Sequence, residues 1–461
     1  MIRLIVRSCL LCLWLSFLVV CPASAAELPA EVLGALKGAG ISPTNVGVVV
    51  QSVDGKQTLV RHNGRRAMNP ASTMKLMTTY AALELLGPAF TWKTEALVDA
   101  PGNLYLRGSG DPALTLERFW LLLRQLRTHG IGDVPGDLVL DRSAFLLPPH
   151  DPADFDNEPL RPYNVGADAL LINLKSVSLS LRPDPVQRAV AVVPETPSDE
   201  LRINNRLRLA EESCGDWREK FEAKVGDGTI ELSGNYPASC GEKDLHLAPW
   251  PADVQVERLF RPLWRELGGA LHGAVREGRV PQSARLAAQV ASPPLATVVR
   301  DINKFSNNVM ARQVFLSLDN AFPATPDGAR RRIRAWLAGK GISLPELVLD
   351  NGSGLSRSER ISAEGLSQIL LAAWQSPVMP ELMSSLPLAG VDGTLKKRMN
   401  GSTMAGRAHL KTGYLDGVRA LAGYVLDKSN RRWVMVFLIN DPKSRLGKPA
   451  MDALLRWVAE Q

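Results

Sequence analysis

The sequence predicts an α+β fold in which both ends of the chain build one sheet and a long β-rich region is inserted between them. Three observations predict it. β-rich apolar runs stand near both termini, helical runs lie between them, and residues 96–285 are a succession of short β-like runs with turn signals such as Gly226-Asp227-Gly228. The chain of 461 residues is long enough for two or three domains, and its 45% apolar and 22% charged content is that of a soluble globular protein.

The elements follow in order. Arg3 and Arg7, an apolar run over 10–20 and Ala23-Ser24-Ala25 read as a signal peptide cleaved after Ala25, which predicts export to the periplasm. A retained membrane anchor is the alternative; the run is short for a spanning helix. Cys21 follows Val20, a poor fit to a lipoprotein site. Residues 45–53 and 56–61 form a hairpin about Asp54-Gly55. Asn69-Pro70-Ala71 leads into a helix over 72–86 that Gly87-Pro88 ends. The inserted region of 96–285 divides into two small domains, about 96–160 with 246–285 and about 161–245. Pro293-Pro294 marks the return to a helical segment over 295–318. Strands over 407–412, 419–426 and 432–439 precede a closing helix over 450–459, which is expected to pack on the sheet and not to serve as a membrane foot. The main domain is therefore 26–95 with 286–461.

Cys214 and Cys240 remain once the signal is removed. Two cysteines in an exported chain are expected to pair, with two free thiols as the alternative. The net charge of +7 suits acidic substrates or an anionic wall polymer. Arg330-Arg331-Arg332 and Lys396-Lys397-Arg398 read as solvated faces, and without aromatic interleaving they predict no nucleic-acid partner. The histidines show no metal-ligand spacing and the glycines near Gly268-Gly269 form no phosphate loop, so neither metal nor cofactor is expected.

Three short motifs carry chemistry. A serine hydroxyl is a poor nucleophile until a base takes its proton, and Lys75 stands three residues after Ser72, on the same face of a helix. To act as base Lys75 must be neutral, which burial and a neighbouring cation such as Lys411 favour. Ser306 and Asn308, in the helical segment, suit proton relay and the holding of a substrate amide, with Asn307 as a spacer. Lys411 lies at the end of a strand, where it anchors a carboxylate. Thr412 follows, Gly413 allows a close backbone approach, and Tyr414 offers an N–H that pairs with that of Ser72 as an oxyanion site. S-x-x-K alone arises by chance about once or twice in a chain this long. The three in order, each on a suitable element, are far more specific.

Longer stretches extend the pattern: Pro70-Ala71-Ser72-Thr73-Met74-Lys75, Gly102 to Pro112, Asp350-Asn351-Gly352-Ser353-Gly354-Leu355-Ser356-Arg357 and Gly390-Val391-Asp392-Gly393-Thr394-Leu395. Together with the three motifs they resemble the low-molecular-mass class C penicillin-binding proteins, D-alanyl-D-alanine carboxypeptidases that also act as endopeptidases. The likeness covers nearly the whole mature chain. It implies a β-lactamase/transpeptidase-like domain, an antiparallel sheet with helices on both faces, with a long insertion after the S-x-x-K helix. It implies that Ser72 is acylated by peptidoglycan stem peptides and by β-lactams, with Lys75, Ser306, Asn308 and Lys411 moving protons and orienting the substrate. Tyr414 departs from the serine or threonine usual after K-T-G.

Weaker candidates are Asp141 and Phe145, reaching from the insertion to the stem peptide's side chain, and Leu355, lining the same pocket; a structural turn is the alternative for the first two. Gly108 to Pro112 reads as a tight turn, and His409 as a satisfied surface histidine. At most peripheral membrane contact is expected, and the oligomeric state stays open. Two other functions remain in view: a β-lactamase with fast deacylation, and a wall-binding protein with a vestigial site.

Overall fold

Both ends of the chain feed one sheet. In the computed structural model, which describes residues 27–198, 201–399 and 401–461, its strands run in the order Ala408–Leu415, Val418–Leu426, Arg432–Asn440, Val46–Ser52 and Thr58–His62. Every neighbouring pair is antiparallel. The expected signal peptide lies outside the described residues.

The central strands read Val-Gly-Val-Val-Val-Gln-Ser and Arg-Trp-Val-Met-Val-Phe-Leu-Ile-Asn because both faces are covered. Period-2 alternation sends Val49, Val434, Val436 and Leu438 to one core, with the helices Lys75–Leu85, Leu295–Phe305, Asn308–Leu316 and Ala363–Trp374. It sends Val48, Val50, Met435, Phe437 and Ile439 to the other, under Ala30–Ala39 and the closing helix Lys448–Ala459. Each such side chain contributes about 1.5–3 kcal/mol on full burial. The closing helix thus packs on the sheet, as expected, and among the described residues no helix is long and apolar enough to cross a membrane.

Two local differences from the expected elements bear on the site. The helix expected over 72–86 opens with a 3-10 turn, Ala71–Met74, before the α-helix Lys75–Leu85. The segment expected to be one helix over 295–318 is two, broken at Ser306, whose φ of 59° is left-handed. Asn307 is an N-cap and no mere spacer: its Oδ1 accepts the N–H of Met310 at 3.0 Å and starts the second helix.

The inserted region holds a second sheet, ordered Val275–Glu277, Leu138–Asp141, Leu104–Arg107, Lys93–Val98 and Arg285–Ala291. Helices Leu116–Thr128 and Ala252–Glu266 cover it around Phe119, Phe260 and Trp264. The paired strands Lys93–Val98 and Arg285–Ala291 lie where the chain enters and leaves this sheet. Beyond it, two three-stranded sheets share a small core of Val177, Leu179, Ile230, Leu232 and Tyr236. Cys214 and Cys240 form a disulfide there, as expected.

Candidate active site

The site begins with a strained turn. Ala71, just before Ser72, has φ of 45°, a left-handed value that costs a non-glycine residue about 1 kcal/mol or more. Asn69 holds it. Its Oδ1 accepts the Ala71 N–H at 2.9 Å, its Nδ2 donates to the Ser356 carbonyl at 2.8 Å, and its own N–H donates to Asn440 Oδ1 at 2.7 Å. Ser72 is partly exposed while the residues after it are buried.

Lys75 is fully buried. Its Nζ donates to Ser72 Oγ at 2.9 Å, to Asn308 Oδ1 at 2.6 Å and to the Ser353 carbonyl, so all three N–H directions are used. Burial first, then the charges of Lys411 and Arg312, hold its pKa well below the ordinary lysine value; Glu359 opposes them. Lys411 is also fully buried, and burial brings it down to about 7. Its Nζ donates to Ser306 Oγ and to the Thr412 carbonyl, each at 2.8 Å. The left-handed kink at Ser306 falls where its hydroxyl meets that amine. Two depressed amines thus each address one serine hydroxyl, an arrangement suited to taking and returning protons near neutral pH.

The Ser72 turn is wrapped by the segment Asn351 to Leu355. A Cβ at Gly354, whose φ is 80°, would lie 2.0 Å from the Ala71 carbonyl oxygen. Leu355 packs with Ala71, Leu415 and Val418 beside Ser72. At Gly413 a Cβ would lie 2.8 Å from the Pro70 oxygen and 3.1 Å from Ala71 Cβ. The glycine therefore lets the Lys411 strand close onto the Ser72 turn. Thr412 Oγ1 is 2.9 Å from Thr394 Oγ1, and Tyr414 is 59% exposed with the Arg419 guanidinium 5.2 Å from its ring centroid.

Asp141 and Phe145 serve the inserted region. The Asp141 carboxylate accepts the N–H groups of Ser143 at 3.0 Å and Val280 at 2.9 Å, and Phe145 fills the space beside Gly110 and bridges to Ala324. Their neighbours Arg142 and Leu147 line a cavity of about 670 Å³ between insertion and main domain, together with Lys175, Phe155, Arg312 and Leu355. The tight turn expected over Gly108 to Pro112 is shifted to Pro112-Ala113, where the Ala113 N–H meets Asp111 Oδ1 at 2.7 Å; the glycines before it lie along neighbouring backbone, Gly108 N–H donating to the Asp141 carbonyl at 3.1 Å and Gly110 N–H to the Ala169 carbonyl at 2.7 Å. His409 differs from expectation: it is half-buried, its Nδ1 has no hydrogen-bond partner, and burial pushes its pKa down.

Several residues at the site carry no motif-level signal. Arg312, Glu359 and the Ser353 carbonyl surround Lys75. Lys304 donates to the Leu386 carbonyl at 2.7 Å and to Asp392 Oδ2 at 2.6 Å, tying the Gly390 to Leu395 loop to the Ser306 helix. Gly352 and Gly354 were the available clue to the first group, and Asp392 to the second. Among the described residues no group of three or more His, Cys, Asp or Glu is placed to hold a metal ion.

A family model, the D-Ala-D-Ala carboxypeptidase 3 (S13) family, matches residues 30–461. The D-alanyl-D-alanine carboxypeptidase of Actinomadura sp. (strain R39) is 31% identical over 411 residues, 82% of this chain and 74% of that one. The D-alanyl-D-alanine carboxypeptidase DacB of Haemophilus influenzae is 25% identical over 409 residues, 86% of this chain and 85% of that one. The crystal structure of penicillin binding protein 4 from Haemophilus influenzae has a TM-score of 0.76 at 24% identity, covering 93% of this chain and 99% of that chain, and shares the fold.

Proposed function

The chain belongs to the D-Ala-D-Ala carboxypeptidase 3 (S13) family, and from that premise we propose that Ser72 is its nucleophile, Lys75 the base, and Ser306 with Lys411 the route by which the leaving amine gains its proton. The enzyme is a serine DD-peptidase of the penicillin-binding kind. Its substrate class is the peptidoglycan stem peptide, and β-lactams are its acylating inhibitors. A cell-wall substrate sets the work outside the cytoplasm, and we assign the periplasm from the amino-terminal sequence.

The observation that carries the reading is Lys75, buried without a carboxylate in hydrogen-bond contact and donating to Ser72 Oγ at 2.9 Å. In its neutral form the same line carries the serine proton to nitrogen. Ser72 Oγ then bonds to the carbonyl carbon of the penultimate D-alanine. The Ser72 and Tyr414 N–H groups are the proposed donors to the oxyanion. Collapse breaks the C–N bond, and the departing nitrogen takes a proton from Ser306 Oγ, which Lys411 Nζ replaces across 2.8 Å. Water then hydrolyses the acyl-enzyme: its proton passes through Ser306 to Lys411, left neutral by acylation, and Lys75 returns its proton to Ser72 Oγ as the ester C–O bond breaks, so both amines recover their starting states. Asn308 orients the substrate amide from the position its contact with Lys75 sets.

The cavity of about 670 Å³ is where we expect the remainder of the stem peptide, with Leu355 in its lining and Asp141 and Phe145 acting on it through their lining neighbours Arg142 and Leu147. A free terminal D-alanine and a D-centred cross-link differ only in what leaves, so both are proposed substrates. Digestion of defined muropeptides, read by mass, tests this. Release of D-alanine from a pentapeptide and of monomers from a cross-linked dimer is expected; an intact pentapeptide after complete reaction of the dimer would contradict the carboxypeptidase half.

A further inference from the structure

Glu359 is fully buried, and among the described residues its carboxylate accepts hydrogen bonds from backbone N–H groups alone. Its Oε1 accepts the N–H groups of Gly352 at 2.9 Å, Asn351 at 3.2 Å and Asp350 at 3.3 Å, while its Oε2 is buried without a partner. Burying a carboxylate is expensive unless donors or opposite charge compensate it. What the three bonds fix is a tight loop against the nucleophile helix. The Gly352 carbonyl accepts Thr78 Oγ1 at 2.7 Å, and the next carbonyl, that of Ser353, accepts Lys75 Nζ. Asn351 Oδ1 locks the loop from within, accepting the Ser353 N–H at 3.0 Å and Oγ at 2.6 Å.

Accepting the reading of Lys75 as base of Ser72, we propose that Glu359 is a positioning residue for that base: it aims the Ser353 carbonyl at Lys75 Nζ, and its negative charge sets the pH at which acylation begins. The charged groups facing Lys75 are few. Among the described residues Lys411 and Arg312 press it toward the neutral amine and Glu359 favours the ammonium. Arg312, also buried, feels both Glu359 and Asp350, and Asp350 is the like charge facing Glu359. Burial pushes the Glu359 carboxyl up, against the three N–H bonds that favour its ionised form. Without a counter-charge Lys75 would be neutral but a weaker acceptor for the serine proton. Glu359 keeps it basic enough to use, consistent with a base tuned near its working pH.

The test is the pH profile of Ser72 acylation by a fluorescent penicillin, on the full mature chain. Removing the negative charge lowers the proton affinity of Lys75, so Glu359→Gln should move the acid limb to lower pH by about one unit, a tenfold change in the neutral fraction. The plateau rate should fall. Glu359→Asp, which keeps the charge, should leave the limb in place while slowing acylation. An unshifted limb in Glu359→Gln, or an equal shift in Glu359→Asp, overturns the proposal. If Glu359→Gln does not accumulate folded, Arg312→Met and the pair Glu359→Gln/Arg312→Met replace it. Arg312→Met should raise the limb and the pair should bring it back; a pair that keeps the full rise also overturns the proposal. Wild-type protein that takes no label on Ser72 would instead refute the underlying reading.

Discussion

Lys75 Nζ and Asn308 Oδ1 are 2.6 Å apart although 233 positions separate them. The whole inserted region leaves and rejoins the main domain between these two residues. The contact sutures the start of the nucleophile helix to the helix that follows Ser306. It exists because the chain breaks at Ser306 and restarts at Asn308 under the Asn307 cap. Had the segment continued as one helix, Ser306 and Asn308 would project about 200° apart, not toward two neighbouring amines.

Lys75→Met keeps the bulk of the stem but removes the amine. Acylation by penicillin should fall by roughly a thousandfold, within the range for loss of a general base. The thermal midpoint should stay near that of the wild type, because a desolvated amine is exchanged for an apolar group, which offsets the loss of a donor to three acceptors. Normal acylation in this variant would remove Lys75 as base.

Lys411 makes stability depend on pH in a direction opposite to most lysines. Its pKa falls from 10.5 unfolded to about 7 folded through burial. Between those values the unfolded chain binds more protons, so stability rises with pH, by about 1.4 kcal/mol per pH unit for this group. Below about 7 the penalty for burying the amine is fully present. Urea melts at pH 7.5 and 9.5 should show a smaller gain in Lys411→Met than in the wild type. Equal gains would contradict a depressed Lys411.

The Cys214–Cys240 disulfide closes a loop with a sequence separation of 26 in the small core of the outer sheets, a different core from those beside Ser72. In the chain-entropy model, replacing both with alanine destabilises the outer sheets by roughly 3 kcal/mol. Acylation per folded molecule should be unchanged. A matching loss of acylation in protein shown folded by circular dichroism would tie the outer sheets to the site.

Asp392→Asn removes the charge that meets the buried Lys304 ammonium at 2.6 Å. The Gly390 to Leu395 loop carries Thr394, which meets Thr412 at 2.9 Å. We expect a loss of about 1–3 kcal/mol in stability and a rise in KM larger than the fall in kcat. A pure fall in kcat would mean the loop acts on chemistry and not on binding.

Much of this arrangement is legible in the sequence, for physical reasons. Apolar runs at both termini can bury two faces only by meeting in one sheet, and they do so through Val46–Ser52 and Arg432–Asn440. Ser72 and Lys75 are visible because reactive pairs need short, fixed spacing. Ser306, Asn308 and Lys411 are visible only through motif likeness, and the structure brings all five together. The break at Ser306 is hidden because apolar periodicity continues on either side and neither glycine nor proline marks it. Glu359 is hidden because a lone glutamate in sequence is ordinarily a solvated one; only the fold reveals that it is buried beneath Lys75. Gly413 has a second use the sequence does not show, the close packing of its strand against Pro70.

The most direct test of the central claim is intact-protein and peptide mass spectrometry after incubation with benzylpenicillin. One covalent adduct per folded chain is predicted, mapping to the peptide that holds Ser72 and absent from Ser72→Ala. An adduct on another residue, or none on folded wild-type protein, would contradict Ser72 as the nucleophile.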